Sequence, residues 1–272
     1  MTAEYAARGA MIAKRVRSPG RRARAFGVRR IRLATGLVMF AYLISHYTNH
    51  ALGNISLAAM NAGFEYHVRL WQNWPATVLL YSSLVVHASL GLWALYQRRD
   101  FRFRMSEALQ MILGLSIPLL LAQHVVAERL GLALYGIERG YAQALYAFWV
   151  ATPMRGVVQT TALLVAWTHA CIGLYFWLRL KRWFPRAAPA LFAAAILLPT
   201  LALLGFYQSG RAVTQLSALP EWRAQNLTTG QLGTPEQNAG LVDIREKILY
   251  GWGLAIVLVL LARGVRSLAE RR

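Results

Sequence analysis

The sequence predicts an all-α membrane protein, a bundle of six transmembrane helices in which the first four form a core and the last two flank it. Three observations lead there. Hydrophobic residues fill 57% of the chain and charged residues only 15%, too apolar a balance for an ordinary soluble domain. The apolar residues fall in six runs, each near the roughly 20 residues that carry a helix across a bilayer. These runs are continuous, whereas the strands of a membrane barrel would alternate. Most of the 30 Lys and Arg residues lie in segments that share a side with the N-terminus. The positive-inside bias therefore sets both termini in the cytoplasm.

Taken in order, residues 1–30 form a basic cytoplasmic segment. Its stretch KRVRSPGRRARAFGVRR has no apolar core beside its arginines, so lipid-headgroup contact is expected and a cleaved signal peptide is not. Spans one to four, about Ile31–Leu52, Ala76–Tyr96, Ala108–Val126 and Val157–Leu178, make up a core over residues 31–182. Residues 183–272 hold spans five and six, about Ala190–Tyr207 and Ile248–Ala262, with Pro189 and Pro199 belonging to the fifth. The polar, turn-rich stretch between them, Gln208 to Lys247, reads as a lid or a connector. Trp71, Trp74, Trp93, Tyr96, Trp177 and Trp183 sit at span ends as interfacial anchors. YAQALYAFWVATP, Tyr141 to Pro153, is expected to lie on the outer surface as a short helix and to roof whatever the outer half of the bundle holds.

Charge and cysteine content exclude other classes. The formal charge of +19 reads as a basic membrane rim rather than a nucleic-acid surface, so no nucleic-acid partner is expected. A single cysteine, Cys171, excludes an internal disulfide and an all-cysteine iron–sulfur site, and it reads as a small packing residue.

The histidines carry the chemistry. His46 and His50 fall in span one, His87 in span two, His124 in span three and His169 in span four, while His67 lies in the first outer loop. An ionisable ring in hydrocarbon needs a partner, and packing alone does not explain one on each of four consecutive helices. SHYTNHALG in span one aligns with QHVVAERLG in span three, His46 over His124 and Gly53 over Gly131. HASLGLWAL in span two aligns with HACIGLYFW in span four, His87 over His169 and Gly91 over Gly173. The core thus reads as one helical hairpin repeated, residues 31–100 and 105–182.

Such a repeat sets equivalent histidines at similar depth, giving an inner pair, His87 with His169, and an outer pair, His46 with His124. Two stacked pairs of imidazoles in a four-helix bundle suit two b-type haems, whose iron accepts a nitrogen on each axial side. Gly36, Gly91, Gly114 and Gly173 are candidates for making room for the macrocycles. Zinc or copper transport is the rival metal reading, but it calls for carboxylates or thiolates alongside the histidines, and Asp and Glu are absent from the span centres. Span one leaves one choice open. The repeat nominates His46 as the axial ligand, with His50 one turn nearer the outer face as a contact for a haem propionate or a quinone. The opposite assignment, His50 as ligand and His46 as support, matches the depth of His124 better when counted at about 1.5 Å per residue.

These motifs resemble two known groups. The pattern of histidines is similar to the dihaem cytochrome b anchors of succinate dehydrogenases and fumarate reductases, in which a quinone exchanges electrons with two haems. Over most of the chain, RIRLATGLVMFAYLISHYTNHALGNISLAAM, LLYSSLVVHASLGLWALYQRR, IPLLLAQHVVAERLG and HACIGLYFWLRLKRWF resemble the six-helix membrane module of bacterial class III adenylate cyclases. That resemblance implies two haem b, redox sensing of the quinone pool and residence in the bacterial inner membrane. It also implies ferredoxin-like and cyclase domains following the module. Neither is recognisable in this sequence, which ends at SLAERR and reads as an excised membrane domain without cyclase catalytic residues. Expected partners are the lipid bilayer, a quinone or quinol, those C-terminal domains in a longer protein, and a second copy of the chain as a homodimer.

Overall fold

The computed structural model describes residues 19–98, 100, 102 and 104–270, with side chains from residue 27 onward. The basic segment expected over residues 1–30 therefore lies, up to residue 18, outside the described residues. Among the described residues 88% are helical and none is in a strand. The helices are α1 (Pro19–Ala51), α2 (Leu57–Trp71), α3 (Trp74–Tyr96), α4 (Met105–Tyr135), α5 (Tyr141–Tyr146), α6 (Pro153–Leu178), α7 (Phe184–Leu216), α8 (Pro220–Asn226), α9 (Thr229–Leu232) and α10 (Pro235–Ala269). The end of the bundle that carries the α3–α4 turn is termed inner, and the end that carries α2, α5 and α8 is termed outer.

Local chemistry sets the boundaries. Ser56 caps α2 by accepting from the Ala59 amide, and Asn73 caps α3 by accepting from the Ala76 amide. Thr234 opens α10 with a capping box: its hydroxyl accepts from the Gln237 amide, the Gln237 side chain accepts in return, and Pro235 begins the first turn. Gly136 ends α4 at φ +64°, a left-handed conformation that a residue with a Cβ adopts only with strain. The Gly136 and Ile137 amides then close the last turn on Leu132 and Gly131.

Among the described residues five helices are long and apolar enough to cross a membrane: α3, α4, α6, α7, and α10 together with α9. Their apolar surface is largely unburied, with Val78, Leu79 and Val85 on α3 and Leu254, Val257 and Leu258 on α10 all exposed. Such continuous apolar surface fits lipid rather than water. The chain is in this respect a multi-pass membrane protein. The first of the six expected spans differs from the others. At 33 residues α1 is long enough, but Ser45, His46, Thr48, Asn49 and His50 in its outer half make it too polar to count with the five.

Packing places α1 against α3, and α4 against α6, as two hairpins that meet to form the four-helix core. Helix α7 lies against α1 and α6, whereas α10 lies against α3 and α4. The α1–α7 contact is backbone to backbone: a Cβ at Gly205 would run into the His50 carbonyl, and one at Gly53 would meet the Gly205 carbonyl. Asn54 Nδ2 completes it by donating to the Leu201 carbonyl at 2.7 Å.

The stretch from Gln208 to Lys247 is much more ordered than its composition suggests. Helix α7 continues to Leu216 and α10 starts at Pro235, so only residues 217–234 connect them, and α8 and α9 lie within that stretch. Arg139 clamps it down, donating to the carbonyls of Gln231 and Leu232, to Asn238 Oδ1 and to the Ala127 carbonyl.

Candidate paired-histidine site

Two pairs of imidazoles occupy the core at different levels. At the inner level His87 on α3 and His169 on α6 have ring centres 6.1 Å apart. At the outer level His46 on α1 and His124 on α4 are also 6.1 Å apart. An iron held between two imidazole nitrogens at about 2 Å each, with ring centres about 1.1 Å behind those nitrogens, sets ring centres about 6.2 Å apart.

The inner rings are fixed by their neighbours' backbones. His87 Nδ1 lies 3.1 Å from the Arg32 carbonyl and His169 Nδ1 lies 3.0 Å from the Gln110 carbonyl. A carbonyl only accepts, so each Nδ1 carries the proton and each Nε2 keeps its lone pair, the tautomer that a metal-binding imidazole needs. Each of these carbonyls has a glycine one turn later. A helical Cβ tilts back over the preceding turn, and a Cβ at Gly36 would sit 3.2 Å from His87 Cε1, while one at Gly114 would sit 2.6 Å from His169 Cε1. Glycine is what lets each ring reach the helix. Arg32 with Gly36 and Gln110 with Gly114 stand at the same sequence offset that carries His46 onto His124. Of the other two glycines considered, Gly173 faces Gln110 Nε2, and nothing lies near Gly91.

The outer level is more polar. His46 and His50, one turn apart on α1, meet through their Nε2 atoms at 3.2 Å with their rings edge to face. Tyr42 stacks on His46 at 5.5 Å. His50 is buried between Tyr141 and Phe206, with ring centres at 5.5 and 6.0 Å. Tyr141, the first residue of α5, accepts from Asn49 Nδ2, so the short helix expected over Tyr141 to Pro153 does cover the outer histidines.

Two residues of this level escaped the sequence reading. His67 is not on a loop; α2 carries its ring to 5.3 Å from that of His46. The Ser45 hydroxyl donates to the Tyr42 carbonyl and accepts from Trp71 Nε1, so His67 Nδ1, 3.4 Å from Ser45 Oγ, is the donor of that pair. Burial pushes the His67 imidazole down to about 4, which keeps it neutral near pH 7. Glu128 sits in a π turn, Val126–Leu130, one turn beyond His124, as His50 does beyond His46, and lies within electrostatic reach of Arg139 and Tyr141. Single-turn π segments of this kind often mark functional positions.

Several buried polar atoms have no partner among the described residues: Nδ1 of His46, His50 and His124 at the outer level, and Arg32 Nε and Gln110 Oε1 at the inner level. Orphans of this kind call for an explanation, because each costs about 1–3 kcal/mol where water is excluded. The buried Arg32 Nε–H is a donor that suits a polar edge of a macrocycle held by the inner pair; Gln110 Oε1 only accepts, and the Nδ1 of a histidine bound through Nε2 faces away from such a group. Among the described residues no three His, Cys, Asp or Glu side chains are grouped so as to hold a bare metal ion.

No protein-family model, curated protein or solved structure matches the chain. The likeness to the adenylate cyclase membrane module therefore rests on the sequence motifs alone.

Proposed function

We propose that the chain is a membrane-embedded b-type dihaem redox module that senses the quinone or respiratory redox state and regulates a C-terminal adenylate cyclase carried by a longer protein. His87 and His169 hold the inner haem, and His46 and His124 hold the outer one. The His46 and His50 Nε2 atoms, 3.2 Å apart, share one hydrogen bond that His46 gives up when that nitrogen binds iron, and His50 then serves as a contact to a propionate or quinone. Bound haem supplies one-electron exchange; the chain's own residues hold and orient it. The observation that carries this reading is the equal 6.1 Å spacing of two imidazole pairs, with the inner pair locked by backbone carbonyls into the metal-binding tautomer. The fold supplies the apolar surround that such a group requires.

The test is a reduced-minus-oxidised absorption spectrum of the purified protein with a pyridine-haemochrome count. Two b-type haems per chain are expected. Protein expressed with ample haem supply that contains none would end the proposal. Sustained quinol-dependent reduction of an added acceptor would reassign the module to an electron-transfer anchor subunit.

A further inference from the structure

Arg32 and Gln110 stand at equivalent places in the two hairpins, and each offers its backbone carbonyl to an inner histidine. Their side chains differ in what they can do. Each has a buried polar atom without a partner among the described residues, Nε of Arg32 and Oε1 of Gln110. The first donates and belongs to a cation, whereas the second accepts and belongs to a neutral amide. A helical Cβ tilts toward the N-terminus, which for α1 is the inner end, so the Arg32 side chain leaves α1 on the inner side of the carbonyl that holds His87. Gln110 is committed to its own wall: a Cβ at Gly173, one turn beyond His169, would sit 3.1 Å from Gln110 Nε2, whereas the equivalent place at Gly91, one turn beyond His87, is open. Among the described residues no ion pair includes Arg32, and Arg29, one turn before it, has the same sign. Other cations toward the inner end are engaged elsewhere. Arg98 pairs with Glu107 at 2.9 Å, and Arg179 lies over the Tyr175 and Phe176 rings.

A guanidinium whose N–H is shut away from water calls for an anion, and its fork matches carboxylate oxygens in both geometry and charge. We propose that Arg32 binds a carboxylate of the inner macrocycle, so that one residue fixes His87 through its carbonyl and the macrocycle through its side chain. The inference rests on the dihaem reading and adds to it which residue neutralises the inner group and which hairpin its carboxylate faces. Phosphate of an anionic lipid headgroup has related chemistry and is the source to be distinguished. The position favours the macrocycle, because Arg32 Nε is buried and the same residue is bonded to the ring of an inner ligand.

The experiment follows the release of haem from the full chain to excess apomyoglobin by visible absorption, in nanodiscs made of zwitterionic lipid and of zwitterionic plus anionic lipid. Wild type, Arg32→Gln and Arg32→Lys are compared, each with and without His124→Ala, which leaves the inner site alone. Each is reconstituted with haem or with haem dimethyl ester, whose carboxylates are masked. Loss of a charge-assisted hydrogen bond is expected to speed release of the inner haem from Arg32→Gln about tenfold. Arg32→Lys should stay near wild type, and the ester should leave wild type and Arg32→Gln at one rate. Equal release of haem from wild type and Arg32→Gln would overturn the assignment and leave the dihaem reading standing. The assignment also fails if Arg32→Gln speeds haem and ester alike, because Arg32 then acts through the packing of α1 and not on a carboxylate. A difference that appears only with anionic lipid would make lipid phosphate the occupant. A wild-type chain that takes up no haem would remove both readings.

Discussion

His87 and His169 reach backbone carbonyls that a glycine leaves open, so substituting each glycine disturbs its ring according to how closely the two approach. The two approaches are unequal: a Cβ at Gly114 lies 2.6 Å from the His169 ring and one at Gly36 lies 3.2 Å from the His87 ring. We expect Gly114→Ala to push His169 off the Gln110 carbonyl and lower the haem count from two to about one per chain, whereas Gly36→Ala keeps both haems. Losing an outer-shell hydrogen bond of this type costs roughly 10- to 100-fold in metal-site affinity. Equal counts in both variants would show that the glycines do not gate the rings. His87→Ala or His169→Ala should remove the inner haem and spare the outer one. At the outer level we expect His46→Ala to remove haem and His50→Ala to retain it with a shifted potential; the reverse result would make His50 the ligand. His46, His87, His124 and His169 were legible in the sequence because an ionisable residue inside an apolar run has few structural explanations. His67 and Glu128 were not. The first reaches His46 only through the tertiary placement of α2, and the second lies at the polar end of a span, where a carboxylate is unremarkable until the π turn draws it inward.

Helix boundaries show where hydropathy stops being informative. The apolar runs located α3, α4, α6, α7 and α10, since lipid-facing helices need continuous apolar surface. They placed the ends of α7 and α10 too close to the apolar centres, because hydrogen bonding continues after hydrophobicity stops. A signal for the true start of α10 was present in Thr234-Pro235-Glu236-Gln237, a capping box that the polar composition around it obscured. Helix α1 shows the opposite case, an element whose polar outer half is required by the site it carries. The loop over residues 217–234 is held largely through Arg139, a residue of no recognisable motif. Its four bonds join a charged donor to neutral acceptors, each worth roughly 1.5–3 kcal/mol. Arg139→Gln is therefore expected to raise amide hydrogen exchange of residues 229–233 by at least about tenfold while leaving the centres of α4 and α6 protected. Unchanged exchange there would mean that the loop is held by something other than this clamp.

The most consequential connections in the protein run along α10, which is hydrogen-bonded to the core at successive levels. Arg245 donates to Gln123, beside His124; Trp252 Nε1 donates to the Leu115 carbonyl at 2.9 Å, beside Gly114 and hence His169; and Arg263 donates to the Arg98 carbonyl at the inner end. Helix α7, on the other side of the core, is instead joined to α1 near His50. On the proposed function, α10 is thus the helix placed to register both histidine pairs through α4 and to carry the result to the C-terminus. The middle tie is the most useful to cut, because Trp252→Phe removes one hydrogen bond, worth about 1 kcal/mol, and keeps most of the buried ring. Spin labels at Val265, which is exposed on α10, and at Tyr175, exposed on α6, would report the position of the inner end of α10 relative to the core. We expect the label separation to differ between the oxidised and reduced wild-type protein and the difference to shrink in Trp252→Phe, with both haem spectra intact. A wild-type separation that does not change on reduction would mean that α10 is a passive flank, since a two-state element must occupy two arrangements before either site can bias it.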